Sequence, residues 1–172
     1  MNGEQHRATI ERLAADDGAR LREIRLRALR DAPEAFARTL EQATAWPLDT
    51  WNEQTARFAN FVAVVDHSDV GLIRGALDAN ERDTGWLLSM WVAPELRGAG
   101  IAPALVEAVV DWARSLDLRR LLLDVVETNA RALTFYARMG FVPTGEVSTL
   151  PPPRQHLREV RMALTLRRSA SE

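Results

Sequence analysis

Arg97-Gly98-Ala99-Gly100-Ile101-Ala102 is the stretch on which the reading of this chain turns. Before it lies an almost unbroken apolar run, Trp86 to Val92, which predicts a strand covered on both faces. After it, from Ala102 to Leu116, the residues Leu105, Ala108, Val109, Trp112 and Leu116 share one helical face, with Glu107, Asp111 and Arg114 on the other. Two glycines and two alanines remove side-chain bulk where the N–H groups of a helix N-terminus point outward, and those groups with the helix dipole attract an anion. A phosphate fits there; a tight turn with no ligand is the other reading of the same glycines. Pro103 has no N–H to lose and is comfortable only in a first helical turn, so the helix should begin near Gly98 to Gly100 with the glycine amides free. The dinucleotide fingerprint is disfavoured, because Gly98-x-Gly100-x-x-Pro103 has proline at the third glycine and lies far from the first strand.

Working outward, Leu121 to Val126 is a second buried strand, and strand, helix and strand within so short a span imply a right-handed crossover between parallel neighbours. Asn129 to Met139 reads as a further helix ended by Gly140. Val160, Met162, Leu164 and Leu166 alternate as a last strand beyond the extended Pro151-Pro152-Pro153 loop. Upstream, Arg7 to Leu13 is a short first strand and Asp16 a helix N-cap. Ala19 to Arg30 is an amphipathic helix stopped at Asp31-Ala32-Pro33. A second helical stretch falls between Pro47 and Phe58, and Glu34 to Trp46 has no clear assignment. Phe61 to Val65 and Val70 to Leu77 form an antiparallel hairpin about His67-Ser68-Asp69, with Gly71 and Gly75 weakening its second strand. Without repeat or linker, residues 1–172 read as one α+β domain. Its sheet is mixed and mostly antiparallel, with a central parallel strand pair flanked by helices, and the tail 167–172 is expected to fray.

Composition narrows the function. The chain has 172 residues, 47% of them apolar and 27% charged, with a formal net charge of −2, so it can bury a core and presents no basic field for nucleic acid. Cysteine is absent and the three histidines, His6, His67 and His156, are scattered, which leaves neither a disulfide framework nor a metal cage. No run approaches the roughly 18 apolar residues of a membrane span, and Met1 to Arg12 holds no apolar core segment, so the expectation is a cytoplasmic protein. All 22 basic residues are arginine, which excludes a lysine Schiff base and a phosphate loop ending in Gly-Lys.

Two motifs together carry a resemblance. Arg97-x-x-Gly100-x-Ala102 fits the pattern Arg or Gln, two residues, Gly, one residue, Gly or Ala. At the expected distance stands Asn129-Ala130-Arg131-Ala132-Leu133-Thr134-Phe135-Tyr136-Ala137-Arg138-Met139-Gly140-Phe141, which looks like an Asn-x-x-Ala, aromatic-Tyr, Gly-Phe stretch. The chain resembles the GNAT superfamily of acetyl-CoA-dependent N-acetyltransferases. The similarity is close from about Trp86 to Val147. Leu21-Arg22-x-Ile24-Arg25-Leu26-x-Ala28-Leu29 followed by Pro33-x-Ala35-Phe36 also looks like the first helix of one broad subgroup.

The resemblance implies a GNAT-like acyl-CoA N-acyltransferase fold in which acetyl-CoA lies where the fourth and fifth strands splay apart. Its pantetheine arm would pair with backbone at Met90, Trp91 and Val92. Its pyrophosphate would sit on amides of Arg97, Gly98, Ala99, Gly100, Ile101 and Ala102, and Asn129 would reach it from the next helix. It further implies direct attack of a primary amine on the thioester in a ternary complex. A strand-four amide would steady the oxyanion and Tyr136 would protonate the departing thiolate. The strand-four glutamate that some members of the family carry is missing here, since Trp86, Leu87, Leu88 and Ser89 hold no carboxylate. Glu127 and Asp124 are then the nearest bases, with an ordered water as substitute. No metal is called for.

The partners expected are acetyl-CoA and an amine, either a small molecule or a protein N-terminus, with no nucleic acid and no membrane; a homodimer is compatible with the family. Acceptor specificity is expected in the first two helices, the Asp78 to Gly85 loop and the loop before the last strand. Trp46, Trp51, Phe36 and Phe58 either line a pocket or fill the core, and Glu81 and Asp83 would favour a cationic acceptor. Two further readings stand beside this one: a non-catalytic acyl-CoA sensor or assembly module, and a transferase that uses another acyl-CoA.

Overall fold

The computed structural model describes residues 8–166, so the start of the first strand at Arg7, His6 and the tail 167–172 lie outside the described residues. One seven-stranded sheet runs in the order β1-β2-β3-β4-β5-β7-β6. Its strands are β1 (Thr9–Arg12), β2 (Ala59–Val65), β3 (Ser68–Leu77), β4 (Thr84–Val92), β5 (Arg120–Val126), β6 (Val142–Thr149) and β7 (Arg158–Thr165). Only β4 and β5 pair in parallel; every other neighbouring pair is antiparallel. This is the mixed sheet with a central parallel pair that the strand-helix-strand reading requires. Among the described residues no helix is long and apolar enough to cross a membrane, and no group of three or more His, Asp or Glu side chains is placed to hold a metal ion.

Five helices clothe the sheet: α1 (Gly18–Asp31), α2 (Leu40–Thr44), α3 (Leu48–Arg57), α4 (Ile101–Ser115) and α5 (Ala130–Arg138). The β2–β3 hairpin turns at Asp66 and His67, both with positive φ, one residue earlier than the polar run predicts. Asp17, not Asp16, is the N-cap of α1. Its carboxylate accepts from the Ala14 amide at 2.7 Å, and the Gly18 amide donates instead to Asn52 Oδ1 of α3 at 3.1 Å. The unassigned segment after α1 holds a 3-10 turn at Pro33–Ala35 and the short α2, whose Thr39 and Gln42 make a reciprocal capping box. β6 escapes sequence reading because all eight of its residues are exposed, so no alternation marks it.

The two faces of the sheet carry different helices, and strand alternation sorts the residues between them. Gly71 and Gly75 of β3 face α4: a Cβ at Gly75 would lie 2.6 Å from the Trp112 ring, and one at Gly71 would lie 3.0 Å from Leu105. The glycines expected to weaken β3 thus let α4 lie close to the sheet. Arg74, between them in the alternation, points to the opposite face and meets Gln54 of α3.

Candidate active site

β4 and β5 are paired only at Thr84↔Arg120, Gly85↔Leu121 and Trp86↔Leu122. Past Trp86 they diverge, and β4 from Leu87 to Val92 has no partner on that side. On its other edge β4 stays with β3 but carries an extra residue, so that Leu88 opposes Arg74 while Trp91 opposes Leu72. Ser89, with φ of 60°, makes this bulge, which reverses the side-chain phase of the strand. Trp91 is thereby turned onto the α1 face, where its Nε1 donates to Asp31 Oδ2 at 2.8 Å and Arg27 covers its ring at 5.5 Å. Met90 and Val92 flank it on the unpaired edge, whose backbone can receive an extended ligand as an added strand. A cleft of about 1540 Å³ passes through this gap, lined by Gly98 and Gly100 before α4 and by Arg25 of α1 and Arg57 of α3.

On the α4 face the glycine loop is open. Gly98 and Gly100 have φ of 87° and 81°, and a Cβ on either would meet nothing within 4 Å. Backbone conformation, not crowding, requires glycine at both. Gly100 is the N-cap of α4, so Ile101 and Ala102 occupy the first turn, as Pro103 demands. The amides of Arg97 and Ala99 donate inward to the carbonyls of Pro94 and Leu96 at 3.3 Å each. The Arg97 guanidinium donates to the Val92 carbonyl at 3.0 Å and pairs with Asp31. The loop amides left for a ligand are therefore those of Gly98, Gly100, Ile101 and Ala102. Such a cradle of amides, beside an unpaired strand edge, suits a pyrophosphate followed by an extended amide-bearing arm.

Asn129 caps α5 through Oδ1, which accepts from the Ala132 amide at 3.1 Å, and it lines the cleft. Tyr136 lines it too; it is 7% exposed, lies edge-on to Phe135 and Phe141, and its hydroxyl has no hydrogen-bond partner among the described residues. Burial pushes its phenol well above the ordinary value, which keeps the proton on the oxygen at neutral pH. Glu127 is not on the cleft wall: half exposed, it stands 3.7 Å from Arg158.

The opposite face holds what sequence reading missed. Across β5 and β7, Asp124 opposes Arg161 and Val126 opposes Glu159, and Trp86, under the Arg161 guanidinium at 4.6 Å, belongs to the same face. Asp124 is held bidentately by Arg161 at 2.9 and 3.1 Å. Glu159 reaches the cleft with no hydrogen bond or ion pair among the described residues. Burial, then the nearby Asp124 charge, push its carboxyl upward. The alternation of Val160 and Met162 did mark Glu159 as facing the other way, but nothing in one sequence joined that face to the cleft.

Phe36, Trp46, Trp51 and Phe58 all line this half of the cleft, each ring except Trp51 beneath an arginine. Arg25 has no hydrogen bond and no ion pair among the described residues. Desolvation, then the charges of Arg74 and Arg38, pull it down to about 9. The Asp78 to Gly85 loop lies away from the cleft, contrary to expectation, because it caps the paired end of β4 and β5. There Asp78 accepts from Trp86 Nε1 at 2.7 Å, while Glu81 and Asp83 pair with Arg120 and Arg119. Those two carboxylates are spent on the sheet end and do not face an acceptor.

Residues 19–141 match the model of the acetyltransferase (GNAT) family. The chain belongs to this family. Among curated relatives, it is 30% identical over 121 residues to the mycothiol acetyltransferase of Beutenbergia cavernae, covering 70% of this chain and 39% of the relative. It is 29% identical over 84 residues to N-alpha-acetyltransferase 30 of Schizosaccharomyces pombe, covering 48% of this chain and 56% of the relative. The match thus spans two-fifths to a little over half of these relatives. A GNAT-family acetyltransferase of Streptococcus pneumoniae superposes with a TM-score of 0.80 at 17% identity, covering 94% of this chain and all of the other. A Salmonella typhimurium protein solved with its cofactor acetyl-CoA superposes at 0.77 and 19% identity, covering 96% and 98%. These structures establish the GNAT fold for the chain.

Proposed function

We propose that this GNAT protein transfers the acetyl group of acetyl-CoA to a primary amine by direct attack in a ternary complex. The observation that carries the reading is the division of one cleft by the β4–β5 gap, with free glycine amides and Tyr136 toward one end and Glu159 at the wall across the sheet. Gly98, Gly100, Ile101 and Ala102 hold the pyrophosphate, the β4 edge at Met90 to Val92 pairs with the pantetheine arm, and Asn129 borders it. Acetyl-CoA supplies the thioester carbonyl that the amine attacks. Glu159 takes the proton that the amine gives up as the N–C bond forms, and Tyr136 delivers a proton to the sulfur as the C–S bond breaks. Glu159 replaces Glu127 in the role of base, because it alone is an unpaired carboxylate on the cleft wall among the described residues. A Tyr held protonated by burial and a carboxylate whose affinity for a proton is raised suit those opposite tasks.

The experiment is the thermal unfolding midpoint with and without acetyl-CoA, followed by CoA release with a panel of amines. Ligand at 100 times its dissociation constant adds about 2.7 kcal/mol. A rise with no turnover of any amine would favour a sensor, and no rise at millimolar acetyl-CoA would defeat the reading.

A further inference from the structure

The acceptor end of the cleft is lined by four arginines whose guanidinium carbons stand over aromatic rings: Arg25 at 4.4 Å from Phe36, Arg38 at 4.2 Å from Trp46, and Arg57 and Arg74 at 5.1 and 4.5 Å from Phe58. Among the described residues none of the four is paired with a carboxylate. Arg74 donates only to neutral partners, Asn60 at 2.8 Å and Gln54 at 3.0 Å. Two donors here are also shut off from solvent without a partner, Arg25 Nη1 and Trp51 Nε1. An orphaned donor is costly and rare, and two of them with an uncompensated cluster of positive charge form a site that lacks its acceptor. The cofactor's phosphates are not that acceptor, since the glycine amides that suit them lie on the α4 face.

We propose that the amine acceptor is a small molecule carrying its own oxyanion, a carboxylate or a phosphonate, which Arg25 binds with Arg74 while the amine faces Glu159. This inference rests on the acetyltransferase reading and names its substrate class. A ring beneath the guanidinium carbon leaves the N–H groups to find partners around its rim: Arg25 spends none of them, and Arg74 keeps Nη2 after Asn60 and Gln54, so the pair can receive an oxyanion through charge-assisted hydrogen bonds. A polycation such as a polyamine would enter against four positive charges.

The test uses the whole chain with acetyl-CoA and matched pairs of amines: the common L-amino acids against their primary amides, and 2-aminoethylphosphonate against ethylamine. At least one acid should be acetylated with kcat/KM tenfold or more above its uncharged partner. Arg25→Leu should bring that acid down to the level of its partner through KM, and Arg25→Lys should retain part of the preference. A second readout needs no turnover: millimolar glutarate or methylphosphonate should raise the unfolding midpoint of the parent, and not that of Arg25→Leu, whose own cooperative melt shows that it folds. Failure of acetyl-CoA to bind would defeat acyl transfer and leave the anion shift standing. Acids used no better than amides, preferential use of spermidine or of a peptide N-terminus, no acid acetylated, or no anion shift in the parent would each overturn the inference.

Discussion

Replacing Arg25 by methionine should make the protein more stable and less active. Arg25 sits on α1 with Leu21, Ile24, Ala28 and Leu29 buried around it, its charge facing Arg74 and Arg38 instead of a counter-ion. Its displacement to about 9 lies more than three powers of ten below an arginine's ordinary value. At about 1.4 kcal/mol per power of ten, the charged side chain costs the fold at most about 5 kcal/mol at neutral pH. Two effects reduce that ceiling. The residue as a whole is only partly buried although its Nη1 is closed off, so the full penalty is an upper bound. The contact with Phe36 at 4.4 Å returns about 1–2 kcal/mol, which methionine would forfeit. A net gain of about 1–3 kcal/mol remains, or about 3–10 °C in Tm for a domain of this size.

The sign with pH follows from a lowered base. Across the neutral range the native arginine is charged and the full cost is present. The advantage of Arg25→Met over the parent, measured by calorimetry, should therefore be constant from pH 6 to 8. An unchanged or lower Tm at pH 7 would refute the reasoning, since it would mean that Arg25 is solvated or paired in solution.

Other perturbations test the remaining parts of the site. Glu159→Gln should lower kcat/KM about 10²–10⁴-fold and remove the acidic limb of the pH profile, which in the parent falls as pH drops through a carboxyl raised above its usual range; an unchanged profile would return the base to water or Glu127. Tyr136→Phe should lower kcat with acetyl-CoA affinity retained, read from single-turnover rates against calorimetry, whereas full activity at every pH would remove the general acid. Gly100→Glu should abolish acetyl-CoA binding on a protein that still folds, at a cost of about 1–2 kcal/mol for a side chain at positive φ where nothing crowds it, because a carboxylate there opposes the pyrophosphate; retained affinity would release the loop from its role. Gly75→Val should cost about 1–3 kcal/mol by forcing a side chain into the Trp112 ring, 2.6 Å from the new Cβ, and an unchanged Tm would mean that α4 is free to shift.

The loop from Arg97 to Ala102 and the flanking strand and helix were legible because each signal there is local: apolar continuity, glycine, proline, helical periodicity. Tyr136 was named through the family resemblance of its neighbours in sequence, and it does line the cleft. What was not legible depends on phase. Sequence alternation cannot say which face of β4 Trp91 takes, because the bulge at Ser89 reverses the count. Arg74, an arginine inside an apolar strand, and Glu159, out of step with Val160 and Met162, are exceptions that the reading of the sequence passed over. Their common wall became visible only once β3, β4, β5 and β7 were laid side by side. Glu81 and Asp83 misled for the converse reason: a charge on a loop is silent about whether an arginine waits across the sheet end to neutralise it.

The bulge also joins the two ends of the cleft mechanically. By turning Trp91 to the α1 face it brings an indole N–H to Asp31, the last residue of α1, and Asp31 accepts at the same oxygen from Arg97 of the glycine loop. Arg97 in turn holds the Val92 carbonyl at the end of β4. One carboxylate thus fastens the helix that carries Arg25 to the loop that frames the anion cradle. A pyrophosphate that drew Arg97 toward itself would have to release Asp31, or draw the end of α1 with it, and so disturb the helix that carries Arg25. In the proposed reaction cofactor and acceptor would take opposite faces of the sheet, and the geometry of each side would be set partly by Asp31, which both share.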